Sequence, residues 1–66
     1  MKPQDVKIGQ RFRKRDKTAH VWQVVAIGAA HDPIVHIRLV REGEPTDTKV
    51  ISVVALIDPR YYGLET

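Results

Sequence analysis

Six of the seven residues from Val21 to Ile27 are apolar, in a chain where 29% of residues are charged. The run holds the only tryptophan, Trp22, and ends at Gly28. β-Branched and aromatic side chains suit a pleated, half-buried surface, and a run this short is strand length rather than helix length. Strict alternation places Trp22, Val24 and Ala26 on one face and Val21, Gln23, Val25 and Ile27 on the other. Both faces are largely apolar, which predicts a central strand with cover on two sides.

The segments around it read as further short strands. Val6, Ile8 and Phe12 are the apolar residues of the first segment, and Gly9 allows a sharp bend before a strand at residues 10–14. Alternation there sends Phe12 inward and Arg11 and Arg13 outward. Arg15, Asp16, Lys17 and Thr18 form a polar turn in which Asp16 can bond to its own backbone. Residues 28–33 make a longer loop closed by Pro33, which cannot join a ladder. Residues 34–41 show the cleanest period of two, with Val35, Ile37 and Leu39 facing one way and His36, Arg38 and Val40 the other. A turn at Glu42, Gly43, Glu44 and Pro45 leads to a strand near residues 49–53. Ser52 is placed to cap one tight 3₁₀ turn through Val53–Leu56. Asp58 and Pro59 break what precedes them, and Tyr61 and Tyr62 offer one ring to each face of a short last strand. Five short strands with closely spaced turn signals predict an all-β, antiparallel small barrel in a single domain, residues 1–66.

Gly9, Phe12, Trp22, Val24, Ile27, His36 and Leu39, followed by Ser52, Leu56, Asp58 and Tyr62, are laid out as in SH3-like barrels. In this respect the chain resembles small stand-alone bacterial SH3-like β-barrel proteins of unassigned function. The resemblance implies a five-stranded SH3-like barrel and no particular ligand. The chain lacks the aromatic and acidic cluster with which peptide-binding SH3 domains grip proline-rich segments. With Phe12, Trp22, Tyr61 and Tyr62 as its only aromatics, it is also poor in rings for the methyl-lysine cage of Tudor-like barrels.

Size narrows the functional classes. Sixty-six residues lie near the lower limit for a chain that folds alone, and there is no cysteine to supply a disulfide or a thiolate zinc site. No apolar run approaches the ~20 residues needed to span a bilayer. Residues 1–5 lack the apolar core of a signal peptide, so a cytoplasmic protein is expected. An enzyme is not expected. Ser52, the only serine, sits at a helix-cap position, and Glu42 and Glu44 lie on an exposed turn. A small-molecule substrate is not expected either, because so short a chain has little room for a ligand pocket. His31, Asp32 and His36 do not repeat a metal-ligand spacing, and His36 shares its face with the cationic Arg38, so neither a metal nor another cofactor is expected.

Two binding readings remain. The net charge of +3 is unevenly spread: residues 1–20 carry seven cations against two acids. Arg11, Arg13, Lys14, Arg15 and Lys17 crowd one hairpin, where they could straddle a phosphate backbone or simply form a solvated edge. The other reading is self-association. Val50, Ile51, Val53, Val54, Leu56 and Ile57 make a second, nearly continuous apolar run that one small interior cannot wholly hide. This run is expected to form a homodimer interface, side by side or with exchanged strands, unless a helical turn folds it over the open end of its own barrel.

Overall fold

A computed structural model describes residues 1–65. Its strands are β1 (Arg11–Lys14), β2 (Val21–Ile27), β3 (His36–Arg41), β4 (Glu44–Ser52) and β5 (Tyr62–Leu64), and one helical turn, α1 (Val53–Leu56), precedes β5. They form a single antiparallel sheet in the order β4-β3-β2-β1-β5. β2 is therefore central, as its composition predicts. β4 and β5 are the two edges and do not pair with each other.

Cover on both sides of β2 is not what forms, and the reason lies in one residue. Gln23 and Val24 pair with Val40 and Leu39, whereas Ala26 and Ile27 pair with Arg38 and Ile37. Val25 is thus an extra residue, a bulge that resets the alternation beyond it. Paired residues share a face. Ile27 pairs with fully buried Ile37 on the inner side but stays 39% exposed at the end of the strand, and Ala26 turns outward with exposed Arg38, the reverse of both assignments made by strict alternation. Gln23, Val25 and Ala26 are exposed, so the outer face carries no second layer.

The interior is filled from β1, β2, β3, β5 and α1, with Ile51 of β4 half-buried against it. Phe12, Val24, Ile37, Leu39 and Leu56 are the fully buried side chains, and Val6, Trp22, Val53 and Tyr62 complete the cluster. Of the two tyrosines, Tyr62 goes inward on β5, and Tyr61, which lies before the strand rather than on it, remains half exposed.

The connections differ from expectation in detail. Gly9 does bend the chain, with φ +95°, and its N–H donates to the Val24 carbonyl at 2.8 Å. The β3–β4 connection is tighter than the expected turn through Pro45. Arg41 pairs with Glu44, so only Glu42 and Gly43 (φ +85°) lie between the strands. Val40 then pairs with Thr48, which leaves residues 45–47 as an unpaired irregularity. Pro45, with no N–H to give, fits such a place. β3 begins at His36, leaving Ile34 exposed outside it. The turn at Val53–Leu56 is α-helical rather than 3₁₀, because Ile57 N–H reaches back four residues to the Val53 carbonyl at 3.0 Å. Ser52 caps it as expected, its hydroxyl accepting from Ala55 N–H at 3.2 Å. A 3₁₀ turn does occur at Pro3–Asp5, where none is read from the sequence, and it delivers Val6 to the core.

Trp22 is 6% exposed. Its emission is expected to lie to the blue of free tryptophan and to move red on unfolding. Trp22→Ala should cost about 3–5 kcal/mol, a large share of the stability of so small a domain. A native spectrum matching free tryptophan would contradict this core.

Candidate functional site

The basic hairpin is β1, its turn and the start of β2. With Phe12 directed inward, Arg11 and Arg13 point away from the core, and both meet carboxylates there. Arg11 makes two bonds to Glu42, Nε to Oε2 at 2.8 Å and Nη2 to Oε1 at 2.9 Å. Arg13 donates Nε–H to Glu65 at 2.7 Å and Nη1–H to the Ala19 carbonyl at 2.9 Å. The hydrogen bond from Arg11, with its charge, holds the Glu42 carboxyl below the usual carboxylate range, and Glu42 in turn raises Arg11. At the turn, Asp16 accepts from the Thr18 hydroxyl and from the Thr18 and Ala19 amides, which lowers its pKa. Ala19 takes a left-handed conformation, φ 51°, to close this turn.

The five cations therefore do not form one open cluster. Lys14 lies 5.2 Å from the centre of the Tyr62 ring. The Arg15 guanidinium lies over Gly63, where an added Cβ would come within 2.7 Å of Nη2. Among the described residues Lys14, Arg15 and Lys17 have no carboxylate partner, and they are what remains of the hairpin as a cationic surface.

A second group, unmarked by any motif, spans the gap between the two edge strands. The register Leu39 to Lys49 puts Lys49 on the inner side of β4. Its ammonium sits 4.0 Å over the Trp22 ring and 5.3 Å from that of Tyr62. The signal for it is period two: stepping back from Ile51 along β4 places Lys49 and then Asp47 on the same side. Next to it Arg41 pairs with Asp47 at 3.1 Å and lies 3.1 Å from the His20 ring nitrogens.

The apolar run at residues 50–57 is divided by the fold. Val53 and Leu56 are buried in the chain's own core, and Ile51 and Ile57 are half-buried against it. Val50, 53% exposed on β4, and Val54, 65% exposed on α1, are the two left in solvent. An apolar recess bounded by Val6, Ile27, Val35 and Val53 opens at the α1 end of the sheet.

The remaining polar candidates stay apart. Ser52 is engaged as a cap. His31 and Asp32 are 3.8 Å apart and exposed, while His36 lies on the outer face of β3. No group of three or more potential metal ligands is gathered among the described residues, and none of their helices is long and apolar enough to cross a membrane. Comparison with family models, curated proteins and solved structures finds no match to this chain.

Glu42 gives a direct titration test. Because its folded pKa is lowered, the Arg11–Glu42 pair supports the fold fully above the ordinary carboxylate range and loses that support as pH falls through the depressed value. The Glu42 carboxyl resonance should titrate at lower pH in the native protein than in Arg11→Ala. Coincident midpoints would show that the pair does not persist in solution. Lys49→Met, which keeps the stem but removes the cation, should cost about 0.5–2 kcal/mol in thermal or denaturant unfolding. No loss would mean that the ammonium adds nothing over the Trp22 ring.

Proposed function

We propose that this chain is a non-catalytic interaction module of SH3-like architecture whose partner is a second copy of itself. The barrel reading is supported by the return of β5 to the side of β1, by the helical turn between β4 and β5, and by Lys49 spanning those strands from inside. The observation that carries self-association is the position of Val50 and Val54. Both are exposed apolar side chains, one on the unpaired edge strand and the other on the turn that directly follows it. Covering them would remove apolar surface from water at about 25 cal/mol per Å². A side-by-side pair is favoured over strand exchange, since β5 already pairs with β1 of its own chain and the core is filled from within.

Nucleic acid is the second reading, favoured by Lys14, Arg15 and Lys17, which have no carboxylate partner among the described residues. Arg11 and Arg13 can join them only by giving up carboxylate partners. Salt separates the two readings, because phosphate contacts weaken steeply as salt rises and an apolar interface does not.

Light scattering on a sizing column should find a particle of twice the 7.5 kDa chain mass, persisting at high salt. Val50→Lys combined with Val54→Lys should return it to the monomer. A 7.5 kDa particle that persists to millimolar concentration would overturn self-association. Low-salt binding of mixed oligonucleotides, lost on changing Lys14, Arg15 and Lys17 to Glu, would favour the second reading instead.

A further inference from the structure

The free edge of β4 is guarded along only part of its length. Natural sheets protect edges with proline, bulges and charged side chains, above all lysine. Residues 44–47 have the first two, in Pro45 and the unpaired irregularity. Residues 48–52 pair regularly with β3 and include one lysine, Lys49, whose ammonium is folded inward over Trp22 instead of standing at the edge. This half of the strand is open to a further strand.

The hydrogen-bond phase shows which groups it offers. Val53 N–H donates to the Val35 carbonyl at 2.8 Å, in step with the pairing of Ile51 with Ile37 and of Lys49 with Leu39. In an antiparallel ladder every second residue turns its N–H and C=O to the same neighbour. Lys49 and Ile51 therefore bond to β3, and Thr48 and Val50 direct theirs outward, where no other strand pairs with them, as does the N–H of Ser52, whose carbonyl belongs to α1.

We infer that β4 pairs antiparallel with β4 of a second copy about a two-fold axis at Val50, joining two sheets into one. This rests on the self-association proposed above and specifies its surface and register. The sequence of this edge is self-complementary. With Val50 opposite the partner's Val50, each Thr48 faces a Ser52, a cross-strand hydroxyl pair that can hydrogen-bond. Each Lys49 faces an Ile51, so no like charges meet, and the outward N–H groups of Val50 and Ser52 meet the carbonyls of the partner's Val50 and the partner's Thr48. Centring the axis on Lys49 would set Ser52 against the partner's Thr46, within the irregular segment. An axis at Thr48 would run into Pro45 and the irregular segment, and one at Ile51 would draw α1 into the ladder. The Val50 register also covers Val50 itself and carries Val54 towards the partner's Thr46.

The absence of cysteine allows a single-thiol scan. Thr48→Cys, Lys49→Cys, Val50→Cys and Ile51→Cys would each be oxidised under mild conditions and scored for disulfide-linked dimer, alongside light scattering of the parent. At the axis, two Val50→Cys positions lie about 5.5 Å apart, within disulfide reach, whereas the other three pairs lie about 8 Å or more apart. The expected result is a dimeric parent and a maximum yield at Val50→Cys. A dimeric parent with its maximum at another position would overturn this register. A dimeric parent with no cross-linking at any of the four would overturn edge pairing while leaving self-association standing. A monomeric parent would overturn both.

Discussion

Interior space is the limiting quantity in a sheet of 66 residues, and the bulge at Val25 sets which side chains of β2 face it beyond Val24. A bulge adds one residue to one strand, bends it and increases its twist. Here it turns Ile27 to the inner side beside Ile37 and sends Ala26 out with Arg38. Without it, β2 would direct an alanine inward and an isoleucine to the wet face. The bend also helps a five-stranded sheet to curl over its own apolar face. Phe12 of β1 and Leu56 of α1 can then be fully buried in one cluster with Ile37 and Leu39 of β3.

The curl leaves two edges, and side chains manage the space between them. Lys49 reaches inward over the Trp22 ring, with its ammonium 5.3 Å from the ring of Tyr62 on β5. That contact removes a lysine from the edge where it would ordinarily discourage pairing. The same side chain thus covers Trp22 and leaves residues 48–52 without a cation at their edge. Away from that edge, the basic hairpin is drawn into the body through Arg11 with Glu42 and Arg13 with Glu65. Charge that looks concentrated along the sequence is partly neutralised in space.

The strands themselves are legible in the sequence because alternation and turn chemistry are local. Phe12, Ile37 and Leu39 are placed inward by period two alone, Asp16 closes its turn, and Ser52 caps α1. The misassigned features depend on partners distant in sequence. The Val25 bulge exists only in relation to β3, and it defeated the face assignment of Ala26 and Ile27. Lys49 was hidden because a lysine beside an apolar run reads as its solvated flank, although its parity matches that of Ile51. The six residues of the second apolar run were indistinguishable by composition. Only packing separates Val53 and Leu56, which fill the core, from Val50 and Val54, which do not. The ion pairs of Arg11 and Arg13 join residues 31 and 52 positions apart, beyond the reach of any local pattern.

Interior and edge meet in the backbone of β4, where neighbouring amides have opposite fates. Lys49 and Ile51 are bonded to β3 within one chain, while the N–H groups of Thr48, Val50 and Ser52 face away from it and would be protected only by the proposed second chain. Amide hydrogen exchange measured residue by residue across a dilution series reads this directly. Lys49 and Ile51 should exchange slowly at every concentration, and Thr48, Val50 and Ser52 should become slow only as protein concentration rises. Rapid exchange of Thr48, Val50 and Ser52 that does not change with concentration would contradict pairing at this edge.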